Sequence, residues 1–352
     1  MKLSFETLKQ MIVAVLTRVE VPEEDAFVVA DNLVSANLRG NDSHGIRLLP
    51  LYVKRIQKGL TKPRANIAVV RESPCTALMN GNYGLGQVTG VKAMEKTIEK
   101  AKDVGMGAVG VFNTNHFGIA SYYSMMAMKQ DMIGMSMCNG APTMAPTGGK
   151  ACIIGNNPIS YAVPAAKQKP IVLDMAVSTV AMGKIFQARD KGEKIPLGWA
   201  IDEDGNPTTD PNAVSRALSL NIGVLLPIGG YKGYGMAVVN DILSGVLTGA
   251  GCLDEVKRSA DLSGPAEIGN LMMAIDIEHF TDTNAFKKRV DKLILRIKNS
   301  QKLPGVEEIY LPGEIEFKTE EQRLREGIPI SDLEWKSVLS LAEEMGVSAP
   351  CG

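Results

Sequence analysis

The sequence predicts an α/β protein: a sheet flanked by helices, with a helical lobe formed by both chain ends. Three observations carry this. From about residue 76, strand-like apolar runs alternate with helical runs, the pattern of helices packed on a sheet. The first sixty and the last thirty-odd residues read as helix alone. The 352 residues are 45% hydrophobic and 22% charged, enough apolar material for a large core.

The helical start is legible in its spacing. Leu8, Met11, Ile12, Val15 and Val19 recur at helical period behind Ser4, a helix cap. Pro22 opens a second helix with the acidic turn Glu23-Glu24-Asp25, and Gly40 ends it. A polar turn, Asn41-Asp42-Ser43, leads into a third helical stretch that stops near Gly59. Strands are then expected at 76–79, 108–112, 132–138, 159–163, 171–173, 271–277 and 309–311. Helices are expected at 91–103, 119–129, 179–189, 234–248, 284–299, 319–325 and 332–345. This divides the chain into a helical lobe, 1–75 joined by 315–352, and an α/β domain, 76–314.

Composition excludes several classes. Lys+Arg (38) and Asp+Glu (39) nearly cancel, so the basic surplus of a nucleic-acid binder is missing. Glu6 and Lys9 interrupt the apolar run that a signal peptide needs, and Asn240 and Asp241 break the most apolar late stretch, so no membrane partner is expected. The five cysteines, Cys75, Cys138, Cys152, Cys252 and Cys351, are odd in number, scattered and free of C-x-x-C pairs. Reduced thiols and a cytoplasmic setting follow.

Chemistry concentrates at two histidines. His44 (Asp42-Ser43-His44-Gly45) and His116 (Asn115-His116-Phe117-Gly118) sit in polar turns beside glycine, where functional side chains gather. His279 lies at a strand end with no such setting. Imidazole suits proton transfer near neutral pH. No histidine pair has metal-site spacing, so no metal is expected. If Ser43 caps a helix, His44 lies in its first turn and Arg47 shares its face. Arg47 could then hold a substrate carboxylate, and Tyr52 could add a hydroxyl. The alternative for Arg47 is a surface cation.

Two glycine-rich stretches invite a phosphate reading. In Gly81-Asn82-Tyr83-Gly84-Leu85-Gly86-Gln87-Val88-Thr89-Gly90 the last spacing is one residue too long for a dinucleotide fingerprint. No acid closes the following strand, so tight packing is the better reading. Gly229-Gly230-Tyr231-Lys232-Gly233 opens a helix and could present N–H groups and a charge to an anion. Asp174 ends a buried-looking strand, a place where carboxylates meet ligands in α/β folds, or where they merely close a turn. Residues 202–206 read as a hairpin turn rather than a calcium loop.

At these residues the chain resembles the malate/L-lactate dehydrogenase family that lacks a Rossmann fold, with ureidoglycolate dehydrogenase, sulfolactate dehydrogenase, diketogulonate reductase and cyclic-imine reductases among its members. The anchors, in order, are Asp42-Ser43-His44-Gly45, Gly84-Leu85-Gly86-Gln87, Asn115-His116-Phe117-Gly118, Gly155-Asn156-Asn157-Pro158, Leu173-Asp174-Met175-Ala176, Lys232-Gly233-Tyr234-Gly235 and Pro312-Gly313-Glu314. Together they span almost the whole chain.

The resemblance implies a mixed sheet in a non-Rossmann NAD(P)-binding fold, and a homodimer. It also implies NAD or NADP as cofactor and oxidoreduction at a carbon beside a carboxylate. By that resemblance His116 is the acid/base, and Ser43 and His44 line the site. Gly140, Asp174, Met175, Ala176, Lys232, Gly233, Pro312, Gly313 and Glu314 would hold the cofactor. Two departures bear on the substrate. Relatives such as ureidoglycolate dehydrogenase place an arginine where Leu48 stands, one step after Arg47, and an acid where Ala141 stands. A simple 2-oxo acid is therefore expected over ureidoglycolate. A cyclic-imine or diketo-sugar-acid reductase, or an inactive ligand-binding relative, would use the same scaffold.

Overall fold

In the computed structural model, residues 1–217, 220–221 and 223–348 are described; Cys351 lies outside them. Three helices open the chain: α1 (Phe5–Arg18), α2 (Glu23–Leu38) and α3 (Leu49–Gln57). Ser4 caps α1, its hydroxyl accepting from the Thr7 N–H at 3.1 Å. Leu8, Ile12 and Leu16 of α1 are fully buried with Leu33, Leu49 and Val53. Ile328, Val338 and Leu341, from the far end of the sequence, belong to the same core. The strand Lys2–Leu3 pairs with Ile328–Pro329, which brings the ends together through backbone as well. Each such aliphatic side chain contributes roughly 1.5–3 kcal/mol on burial, so this lobe depends on segments more than 270 positions apart.

The centre is a seven-stranded mixed sheet. Its strands are β1 (Ala68–Glu72), β2 (Thr76–Asn80), β3 (Met106–Thr114), β4 (Met132–Cys138), β5 (Ile159–Val163), β6 (Ile171–Met175) and β7 (Ile268–Asp276). The spatial order is β1-β2-β3-β7-β4-β5-β6. Only β2 and β3 pair parallel; the other neighbours run antiparallel. It follows that β2, β3, β4 and β6 point the same way, and their C-terminal ends form one edge. Residues alternate across the sheet. Met272 and Ala274 of β7 join a core with helices α4 (Gly86–Val104) and α5 (Ser121–Met128), while Leu271 and Met273 pack the other way against Leu243.

A third core lies between helices α6 (Met182–Lys191) and α7 (Tyr231–Asp241) and a small sheet of short strands. It holds Met144, Ile154, Val180, Ile185, Leu225 and Ala237. Helices α8 (Thr283–Lys298), α9 (Glu314–Glu326) and α10 (Asp332–Glu344) complete the chain.

Three expectations need correction. The helix expected at 234–248 begins at Tyr231 and turns into a π-helical segment, Ile242–Val246. Residues 309–311 form no strand among the described residues; the chain turns directly after them at Pro312-Gly313, where Gly313 has φ of 88°. The stretch after Asn41 is not one capped helix but two 3₁₀ turns, Asp42–His44 and Ile46–Leu48, broken at the extended Gly45. Asn37 enforces the break. Its amide oxygen accepts from Ile46 N–H at 2.8 Å and would lie 2.1 Å from any Cβ placed on Gly45.

Candidate active site

The sheet's C-terminal edge faces the helical lobe, and the candidate site lies between them. A cavity of about 410 Å³ is lined by Ser43 and His44 from the lobe, His116 after β3, Gly140 after β4, and Asp174, Met175 and Ala176 at the end of β6. Ligands in α/β sheets commonly meet this strand end.

The loop carrying His116 is fixed from below. Gly86, the first residue of α4, packs so closely that a Cβ there would come within 2.2 Å of the Asn115 carbonyl oxygen and 2.4 Å of that of His116. The Asn115 amide donates to the Tyr83 and Gly84 carbonyls at 3.1 and 2.8 Å. Gly118 adopts φ of 82°, a left-handed conformation that suits glycine. The stretch 81–90 thus supports the histidine loop by close packing.

His116 Nδ1 lies 2.7 Å from the hydroxyl of Tyr52, which is 5% exposed on α3. The His44 ring stacks on His116 with centroids 5.5 Å apart, and His44 Nδ1 lies 2.9 Å from the Ser43 hydroxyl. Burial, with the neighbouring His44 ring, lowers the His116 pKa to about 3. Burial also lowers that of His44, against the pull of Asp174. Both rings are therefore neutral at pH 7, each with one unprotonated ring nitrogen. Burial raises the Tyr52 pKa, so its phenol stays protonated and can either donate to Nδ1 or accept from it. Gln87, fully buried, lies beside that phenol, and among the described residues neither of its amide atoms has a well-formed hydrogen bond.

Asp174 also lines a second cavity, of about 380 Å³, with Arg39, Ser121, Pro312 and Gly313. One Asp174 oxygen accepts from Ser121 N–H at 2.8 Å, and burial raises its pKa. Val172 N–H donates to the Pro312 carbonyl at 2.9 Å, tying that turn to β6. The buried Ser121 hydroxyl lies beside the Asp174 carboxylate and, among the described residues, makes no well-formed hydrogen bond. Two neighbouring cavities that share Asn41 and Asp174 in their linings fit a long polar ligand such as a dinucleotide.

Some expected site residues lie elsewhere. Arg47 does not line the cavity. The break at Gly45 removes the shared helical face, and Arg47, 38% exposed, lies 3.9 Å from Glu334 of α10. Lys232 is exposed at the start of α7 and lines neither cavity. Gly233 is packed against the Ile228 backbone. The Glu314 carboxylate is taken up by Leu311 N–H at 2.9 Å and by Lys298. Ser43 does not cap a helix. Conversely, Lys257, Arg258 and Ser259 line the cavity although no motif marks them. Arg39 and Ser121 line its neighbour, and only the run of anchors toward Asp174 hints at a ligand there.

The family model for malate/L-lactate dehydrogenase matches residues 3–339. This chain belongs to that family. It is 45% identical to a malate dehydrogenase of Pyrococcus horikoshii, over 97% of this chain and 95% of that protein. It is also 45% identical to an L-sulfolactate dehydrogenase of Methanocaldococcus jannaschii, over 97% of both. Among solved structures, a malate dehydrogenase from Entamoeba histolytica superposes with a TM-score of 0.95 at 34% identity, covering 100% of this chain and 99% of that one. The resemblance expected from the motifs holds along the chain, as does the mixed sheet flanked by helices.

Proposed function

We propose that this chain is an NAD(P)-dependent oxidoreductase that interconverts a small 2-hydroxy acid and its 2-oxo acid, with His116 as acid/base. The malate and sulfolactate dehydrogenases at 45% identity support the substrate class. One observation carries the residue role. His116 is a neutral, partly buried imidazole held at Nδ1 by Tyr52, in one cavity with His44 and Asp174.

A bound nicotinamide supplies the hydride chemistry. The chain's residues supply position and the proton. When Nδ1–H donates to the Tyr52 oxygen, Nε2 keeps a lone pair that accepts the substrate's hydroxyl proton. In reduction the protonated ring, a minor form at pH 7 given its lowered pKa, returns that proton to the oxygen; the Tyr52 oxygen accepts from Nδ1–H in this form, whereas in the other neutral tautomer Nδ1 accepts from the Tyr52 hydroxyl and from Gly118 N–H at 3.4 Å. His44, stacked beside it and bonded to Ser43, limits where the ring can turn. Gly140, Asp174, Met175 and Ala176 are suited to hold the cofactor's reactive half, and Pro312 and Gly313 the other half. The working unit in this reading is a cytoplasmic homodimer. The apolar face of α7 and the π-helical turn, with Tyr231, Met236, Val239 and Ile242 exposed, supports an association.

The test is loss of reduced-nicotinamide absorbance with NADH and NADPH against oxaloacetate, pyruvate, sulfopyruvate, a cyclic imine and a diketo acid. Turnover of at least one 2-oxo acid is expected. Turnover confined to the imine or the diketo acid would replace this reading with a reductase on the same scaffold.

A further inference from the structure

The cavity presents an imbalance of charge. Both its histidines are neutral at pH 7, and its one carboxylate, Asp174, already accepts a backbone N–H. Against these stand two adjacent cations, Lys257 and Arg258, which line both this cavity and a neighbouring one that also holds Asp254 and Asp261. Neither forms an ion pair among the described residues. Arg258 gives one N–H to the Pro142 carbonyl at 2.9 Å, and Lys257 gives one to the Ser263 hydroxyl at 3.1 Å. Most of their eight N–H donors remain free. Two cations at the edge of a partly desolvated cavity favour an occupant of two negative charges over one of a single charge.

Their loop is held rigidly. Lys257 N–H donates to the Ala266 carbonyl at 3.0 Å, and Asp261 N–H to that of Arg258 at 2.9 Å. Inside the loop lies the guanidinium of Arg55, a residue only 2% exposed. It donates to the carbonyls of Ser259 (3.2 Å), Asp261 (2.8 Å) and Gly264 (3.4 Å), and to the Asn115 side chain at 3.4 Å. Arg55 stands three residues after Tyr52 on α3, and Asn115 immediately precedes His116. One planar fork therefore fixes the cationic loop, the Tyr52 helix and the His116 loop in a single frame.

We infer that residues 256–266 form an anion clamp, in which Lys257 and Arg258 select a 2-oxo acid bearing a second acidic group. Arg55 is the positioning residue that sets the clamp relative to His116. This rests on the 2-hydroxyacid reading above and narrows its substrate to a dianion, with a carboxylate or sulfonate as the second group.

The experiment measures kcat and KM for oxaloacetate, sulfopyruvate and pyruvate in the wild type, Lys257→Gln, Arg258→Gln, their combination, Arg258→Lys and Arg55→Lys. Melting temperature and binding of reduced nicotinamide by fluorescence are followed for each. The wild type should prefer the dianions. In the double variant the ratio of kcat/KM for oxaloacetate over pyruvate should fall at least tenfold, about 1.4 kcal/mol. Arg258→Lys should restore part of it. Arg55→Lys should raise the KM for oxaloacetate more than it lowers kcat, with nicotinamide binding kept. Calorimetry of malonate binding to the nicotinamide complex should show the same loss in Lys257→Gln, a change at a partly exposed side chain that spares the fold. An unchanged ratio in active, folded variants overturns the clamp and leaves the 2-hydroxyacid reading standing, as does a wild type that prefers pyruvate. A wild type that reduces no 2-oxo acid overturns both.

Discussion

The two stacked imidazoles are neutral because the protein withdraws them from water, and this has a measurable cost in acid. The unfolded chain protonates each histidine near pH 6.5, whereas folded His116 resists until about pH 3. Between those limits the unfolded state holds more protons, so stability is complete above 6.5 and falls as pH drops toward 3. The slope is about 1.4 kcal/mol per pH unit for that one group. His116→Gln should flatten the fall, seen in urea melts between pH 6.5 and 4.5; equal slopes in both proteins would show that the ring is not desolvated. His116→Ala should lose about 10²-fold or more in turnover while still binding nicotinamide, the range for one acid/base group. Tyr52→Phe should lower kcat about tenfold or more with little change in nicotinamide binding, because Nδ1 loses the nearer of its two partners and keeps only Gly118 N–H at 3.4 Å. Stopped-flow absorbance would check both. The histidines were legible in the sequence because turn chemistry marks them. Arg47 was misplaced because helical facing presumes a continuous helix, and Asn37, seven residues before His44, breaks it at Gly45.

At the scale of elements, strands with β-rich apolar runs were read nearly to the residue: 132–138 and 159–163 coincide with β4 and β5. The two- and three-residue strands of the small sheet were invisible, since so short a run has no period. The glycine stretch before α4 illustrates how packing mimics a phosphate motif. Gly86→Ala would drive a methyl into the Asn115 and His116 carbonyls, so the His116 loop must shift. We expect a loss of about 1–3 kcal/mol in stability and a fall in turnover disproportionate to it, measured by denaturant titration beside steady-state kinetics. The cationic loop at 257–259 escaped notice for a different reason. Its approach to the cavity depends on Arg55, whose partners lie some two hundred positions away.

At the scale of the molecule, the two chain ends close one core, and that core carries Ser43, His44 and Tyr52 to the sheet edge. Deleting residues 327–352 would remove Ile328, Val338 and Leu341 from that core and the strand that pairs with Lys2–Leu3. The expected product is insoluble or molten, with near-ultraviolet dichroism lost; a truncated chain that stays folded and active would show that the lobe closes without its second end.

The bond between Tyr52 and His116 joins a helix of that lobe to the loop that leaves strand β3 of the sheet. A slippage of one ångström between the two bodies would sever it while leaving most secondary structure untouched. The enzyme should therefore fall silent in mild urea before its circular dichroism changes, so that catalysis works as a gauge of how tightly the two halves are seated.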